Sequence, residues 1–420
     1  MERRDFLKLA GLAGFSVVPF ASADDDRRQP SRSYAGPFFV MVNAAGGWDP
    51  TLLCDPKGRL TETDPDPINE YFVDEILTAG NIRYAPVGGN QAFFDKHFQR
   101  LLVLNGVDMQ TNGHDSGARN CWSGSLNEGF PSFGAFVAAH HGPTLPMSYL
   151  SFGGYDETAG IVARTRSGNV NALQRLAYPE RINTNDEEST FHSPRALQLI
   201  EQTRRSREQA QLAGQRLPRL QGAMNLLFAG RTGANELKLL QEYLPDQLSN
   251  VNLERQAQLA VAAYRAGISV SANISMGGFD THGNHDAQHI PRLQTLLEGV
   301  DFLWEEAGRQ GVADRLVIAV GSDFGRTPGY NDGQGKDHWS IGSYMLMGSG
   351  VVGNRVIGAT DDRQGLRTID PGSLAVVDGG ARIMPEHVHA ALRQLAAIDQ
   401  TELAAAWPVA PETPLPGLLG

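Results

Sequence analysis

Apolar runs of strand length recur along the chain, and each runs into glycine and polar residues. Residues 37–43 (PFFVMVN), 100–107 (RLLVLNGV), 268–276 (ISVSANISM), 315–320 (RLVIAV) and 343–347 (SYMLM) have this character. Continuous apolar runs suit strands buried on both faces. Residues 148–154 predict a further short strand. Helical spacing follows or intervenes over 194–213, 234–243, 252–266, 289–310 and 385–398. In the fourth of these, Ile290, Leu293, Leu296, Leu297, Val300, Leu303 and Trp304 fall on one face. Residues 55–90, rich in Pro, Gly, Asp and Asn, read as an excursion with one short helix over 69–78. Residues 165–266 change to charged and Gln/Ala/Leu-rich stretches and read as a helical insertion, a candidate cap. Strands alternating with helices predict an α/β fold with a mostly parallel sheet covered on both faces. No internal repeat is visible.

The chain has 420 residues, of which 41% are hydrophobic, ample for a large core. Polar clusters spread from residue 49 to residue 338 favour one large domain over several small ones. The division expected is 1–23 leader, 24–36 flexible lead-in, 37–405 single domain and 406–420 tail. A formal charge of −11 disfavours nucleic acid and anionic membranes as partners. Two cysteines exclude a disulfide-dense scaffold and a four-cysteine zinc site. Cys54 and Cys121 are either a disulfide pair or two buried thiols. The start, Glu2-Arg3-Arg4-Asp5-Phe6-Leu7-Lys8, resembles a twin-arginine export signal. An apolar run over 9–20, too short to span a bilayer, and Ala21-Ser22-Ala23, a small-x-small cleavage pattern, follow it. The expectation is export by the twin-arginine translocase to the periplasm, cell surface or medium, with no transmembrane anchor in the mature chain.

The candidate chemistry lies on glycine turns. Residues 44–49 end in Asp49, read as a metal ligand or as the cap of the next turn. Residues 111–124 hold His114, Asp115, Ser116 and Arg119; Ser116 is either a nucleophile at a helix amino terminus or an ordinary N-cap. Residues 277–286 (GGFDTHGNHD) bring Asp280, His282 and His285. Residues 322–328 (SDFGRTP) bring Asp323 and Arg326, and residues 335–339 (GKDHW) bring His338. Carboxylates and imidazoles on tight turns suit one or two divalent ions, zinc first, with manganese, calcium or magnesium as alternatives. His192, in the insertion, reads as structural or exposed.

These motifs, the twin-arginine start and residues 353–360 (GNRVIGAT) together resemble the bacterial family called domain of unknown function 1501. That family is placed with alkaline phosphatases, sulfatases and phosphomutases. The resemblance implies a three-layer α/β/α sandwich with metals at the carboxyl ends of the strands. It places Asp49, Asp280, His282, Asp323 and His338 as ligands and 114–124 as the nucleophile loop. Two departures matter. Asp280 and His282 are separated by one residue rather than three, so His285 competes for the ligand role. Phe324 stands where a metal-binding histidine is usual. The sulfatase formylglycine motif is absent.

The function expected is an exported metal-dependent hydrolase of phosphate, or less readily sulfate, esters on a small-molecule or polysaccharide substrate. Ser116 or a bound water would be the nucleophile, His114 a general acid or ligand, and Arg326 or Arg119 the oxyanion clamp. Asp337 and Asn284 are candidate orienting partners for the histidines. The alternatives are a non-catalytic exported metal- or polysaccharide-binding protein, and a zinc hydrolase of another bond such as an amide.

Overall fold

Strand β1, Phe38–Ala45, shows how the molecule is layered. Phe38, Val40, Val42 and Ala44 enter one apolar core, and Phe39 and Met41 enter another. Side chains alternate across a strand, so a run that is apolar at every position needs cover on both faces. The computed structural model describes residues 34–166, 172, 175, 177–183, 186–232, 237–245 and 247–420. The twin-arginine start, the cleavage pattern and the lead-in as far as Ser33 lie outside the described residues.

Among the described residues the main sheet has eight strands: β1, β2 (Leu101–Asp108), β3 (Tyr149–Ser151), β4 (Arg164–Thr165), β5 (Ser271–Gly277), β6 (Leu316–Ser322), β7 (Ile341–Gly348) and β8 (Arg355–Ile357). Their order is β8-β2-β7-β6-β1-β5-β3-β4. Only β7 runs against its neighbours, β6 and β2; every other pairing is parallel. The flanking helices are α1 (Asn90–His97), α2 (His114–Ser123), α3 (Phe133–His141), α4 (Pro194–Gly214), α5 (Pro218–Thr232), α6 (Asn252–Arg265), α7 (His285–Arg309) and α8 (Pro385–Leu395). Helices α1, α6 and α7 cover one face of the sheet, and α2, α3 and α8 cover the other. The arrangement is the three-layer α/β/α sandwich expected from the sequence.

Several boundaries differ from expectation. The helix expected over 69–78 is absent; a single 3-10 turn, Val73–Glu75, leads into a short ribbon of Leu77–Ala79 with Ile82–Tyr84. The helix expected over 234–243 shrinks to Lys238–Gln241, with 233–236 outside the described residues. Helices α1, α3 and α5 were not foreseen. Residues 406–420, expected to be a tail, fold back so that Leu415, Leu418 and Leu419 are buried. Cys54 lies in one core and Cys121 in the other, so the sheet separates them and both thiols are free. Among the described residues, no helix is long and apolar enough to cross a membrane.

Candidate metal centre

Parallel strands deliver their following loops to one edge of the sheet, and here the loops after β1, β5 and β6 meet there. The first turn of α2 joins them. A further loop leaves Arg326, returns at His338 and pairs with it as a small ribbon. It is fastened to the loop after β5 by backbone bonds: Asn284 N to Gly333 O, 3.0 Å, His285 N to Gln334 O, 2.7 Å, and Lys336 N to Thr281 O, 3.2 Å.

His114, Asp280 and His338 place ligand atoms within 4.8 Å of one another. His282 joins them: its Nε2 lies 2.9 Å from Asp280 Oδ1 and 3.0 Å from His338 Nε2, and His338 Nε2 lies 3.2 Å from Asp280 Oδ1. The proton positions follow from the partners on the far side of each ring. His338 Nδ1 faces the Asn112 carbonyl at 2.8 Å, which only accepts, so the proton is on Nδ1. His282 Nδ1 faces the Asp337 carboxylate at 2.8 Å, which places its proton there too. Both Nε2 atoms therefore present lone pairs to each other and to a carboxylate oxygen. In these neutral tautomers three lone-pair atoms face one another, which a positive charge between them, an ion or a proton, would relieve. A tetrahedral zinc with bonds of about 2.0–2.1 Å sets its ligands roughly 3.3 Å apart, close to the spacing seen. The residues fit a divalent ion on this ground.

Asp280 is half exposed. Burial raises its pKa, but the Arg326 guanidinium, bonded at 2.8 Å, leads the opposing effects, and the carboxyl is brought down to about 2. Arg326 itself is fully buried. Its Nε donates to Gly47 O at 2.8 Å, Nη1 to Lys336 O at 3.0 Å, and Nη2 to Gly46 O and Asp280. These bonds commit the guanidinium to the loops, which corrects the expectation that Arg326 clamps an oxyanion. Arg119 is also elsewhere: it donates to Leu126 O at 2.7 Å, beyond the far end of α2.

His114, the first residue of α2, spans two carboxylates. Its Nδ1 is 2.9 Å from Asp323 Oδ2 and its Nε2 is 3.4 Å from Asp280 Oδ2. Asp323 is buried, and burial pushes its carboxyl up while His114 and the Gly46 N–H pull it back. Asp323 Oδ1 is buried without a hydrogen-bond partner. Phe324, fully buried, fills the place where a histidine was usual and packs against the rings of His114 and His338 at 4.9 and 4.4 Å. Ser116 is the third residue of α2 and is not its cap, which is Gly113. Its hydroxyl lies 2.6 Å from Thr111 Oγ1 and 3.1 Å from Gly113 O. None of its hydrogen bonds reaches the cluster.

Asp49 and His285, both expected as ligands, are fully buried in a separate network. Asp49 Oδ1 accepts from Thr51 N at 2.8 Å and from Thr51 Oγ1 at 2.6 Å, so it caps the 3-10 turn Pro50–Leu52. Its Oδ2 accepts from Lys336 Nζ at 2.7 Å and faces His285 Nε2 at 3.1 Å. Burial works against the charge of Asp49, yet Lys336 and His285 hold its carboxyl far below the usual range. Four partners saturate its two oxygens, which leaves none for an ion. Lys336 was read only as part of the GKDHW motif; the bulk of the side chain gave no sign that it turns inward.

No curated protein matches the chain. Similar solved structures include the PsFucS1 sulfatase from Pseudoalteromonas sp., 10% identical with a TM-score of 0.37, covering 91% of this chain and 73% of that one. The 2-O GAG sulfatase BT1596 is 10% identical with a TM-score of 0.36, covering 87% and 71%. The alkaline phosphatase from the Antarctic bacterium TAB5 is 9% identical with a TM-score of 0.31, covering 75% and 93%. These are loose likenesses, and the fold stands on its own strand order. Residues 39–406 match the family described as "Protein of unknown function (DUF1501)", and the chain belongs to that family.

Proposed function

We propose that this protein is an exported metal-dependent hydrolase of phosphate esters, with sulfate esters the less favoured substrate. The observation that supports it most is the convergence of His282 Nε2, His338 Nε2 and Asp280 Oδ1, at 2.9, 3.0 and 3.2 Å from one another, with Asp337 and the Asn112 carbonyl facing the far nitrogens of the two rings. Two imidazoles and a carboxylate favour zinc, then manganese, over calcium or magnesium, which prefer oxygen. A divalent ion there would polarise an ester oxygen and ease deprotonation of a water. Asp323 holds His114 Nδ1, so His114 Nε2 points into the open side of the cluster. His114 takes the proton of the attacking water and returns it to the leaving oxygen, with the buried Asp323 orienting the ring. The water route is supported over a covalent one because the Ser116 hydroxyl is turned toward Thr111 and Gly113. The ester class follows from the motif resemblance, and the export route from Arg3-Arg4 and Ala21-Ser22-Ala23.

Elemental analysis of the purified protein beside Asp280→Ala tests the site, and aryl phosphate, aryl sulfate and aryl amide substrates test the reaction. Near-stoichiometric metal lost in the variant, with phosphate turnover that survives Ser116→Ala and disappears in His114→Ala, is the expected result. A metal-free protein after reconstitution would sink the reading. Replacing Arg3 and Arg4 by lysine should leave unprocessed precursor in the cytoplasm. A second reading, an exported protein that binds a metal or polysaccharide without turnover, is favoured by Phe324 closing one ligand position. Turnover abolished by chelation would remove it.

A further inference from the structure

The network around Asp49 has a cation at its centre, and that cation belongs to the chain. Lys336 Nζ, fully buried, donates to Asp49 Oδ2 at 2.7 Å, Asn69 Oδ1 at 2.9 Å and Thr51 Oγ1 at 3.3 Å. Its three protons meet three oxygens: a carboxylate, an amide carbonyl and a hydroxyl. That is the donor set a hard divalent cation would take, drawn from two separate loops.

The remaining hydrogens of the network have determined places. Asp49 N–H donates to His289 Nε2 at 2.9 Å, so the proton of His289 is on Nδ1. That Nδ1 is 3.0 Å from Thr281 Oγ1, which then directs its own proton to His285 Nδ1 at 2.7 Å. His285 is left with its proton on Nε2, aimed at Asp49 Oδ2 at 3.1 Å. Every lone pair that faces the ammonium is used, and an isolated carboxylate could not stay buried there without a cation.

We propose that this cage is a cation site filled permanently by the Lys336 ammonium, so that the chain binds one divalent ion, at the His282–His338–Asp280 centre, and none at Asp49. The proposal deepens the reading of that centre as a metal site. The internal cation gathers the loop after β1, the Asn69 loop and the loop carrying His338, which is the work a second ion would otherwise do. Thr281 and Lys336 point into the cage while their neighbours Asp280, His282, Asp337 and His338 point out of it. The two sites share loops and differ in the cation they hold.

Metal content is measured in the wild type and in Asp49→Asn after loading with zinc or manganese. A ratio near one ion per chain in both is expected. Two ions per chain, with one lost in Asp49→Asn, would overturn the proposal. Independently, Lys336→Ala removes the ammonium and leaves room for a small amine. Its thermal midpoint should fall by several degrees and recover in methylammonium, but not in equal sodium, while the wild type responds to neither. If Lys336→Ala does not fold alone, soluble yield with and without methylammonium gives the same readout. A variant as stable as wild type and indifferent to amines would overturn the proposal. If the wild type takes up no metal, the catalytic reading fails, and the amine result still decides the cage.

Discussion

Arg326 sits one residue beyond Gly325 in a motif that suggested an anion clamp, yet it holds three loops and one carboxylate. Its donors are consumed before any substrate arrives. Arg326→Ala should therefore destabilise the fold by roughly 2–4 kcal/mol in urea denaturation, because buried carbonyls lose their donor. Arg326→Lys should rescue little of this, since a point charge cannot span four acceptors in a planar fork. Asp337 acts one step behind the centre by fixing the ring of His282. Asp337→Asn should weaken metal affinity by about 10–100-fold with small change in stability, measured by competition with a chromogenic chelator. The motifs singled out His114, Asp280, His282, Asp323 and His338, and the structure brings them side by side, with Asp323, read as a ligand, bonded to the His114 ring instead. Asp49 took its other reading, the cap of the next turn, while His285, Arg326, Arg119 and Ser116 bond away from the cluster, because proximity to a glycine turn does not say which way a side chain points. Lys336 was missed because a lysine is seldom buried and its three oxygen partners come from distant loops.

The elements were legible where periodicity was sharp and lost where it was not. Helix α3 reads FGAFVAAHH, apolar almost all round, so no stripe marks it as a helix. Helix α7 begins earlier than its apolar spacing indicates, because its first turn buries His285 and His289 against Asp49 and Thr281 in place of leucines. Asn284 precedes it with a φ of 45°, a left-handed turn that asparagine tolerates. Gly335 is a contact point between two loops: a Cβ there would strike the backbone carbonyl of His282. Gly335→Ala should push the His282 and His338 loops apart, costing roughly 1–3 kcal/mol and reducing metal occupancy, read by denaturation and elemental analysis. At the sheet edge, Asp156 joins β3 to β4 by accepting from Ser151 at 2.6 Å and from Arg164 and Arg166. Burial raises its pKa, but Arg166 and Ser151 hold it below the ordinary value. A carboxyl depressed by folding stabilises above its unfolded pKa of about 3.9 and loses that contribution as pH falls through the folded value. The wild type should thus exceed Asp156→Asn in stability by roughly 1–3 kcal/mol at pH 7. The gap should close below about pH 4, in denaturant curves collected across that range.

At the scale of the whole molecule, the layered α/β architecture was legible because strands buried on both faces leave continuous apolar runs. The disulfide alternative was undecidable from spacing, since only the sheet shows that Cys54 and Cys121 face opposite cores. Titration with a thiol reagent should find no reactive thiol in the native protein and two after denaturation without reductant. The strand order carries a consequence in time. The central strand β1 comes first along the described chain, and both its partners, β5 and β6, come from the far half: Met41 pairs with Asn273 on one side and Ala319 on the other. During synthesis this apolar strand must wait, without either partner, until the ribosome has passed residue 271 of 420. Such non-local pairing folds slowly and leaves an aggregation-prone edge exposed meanwhile. A nascent chain of this design depends on chaperones for longer than its size alone would require.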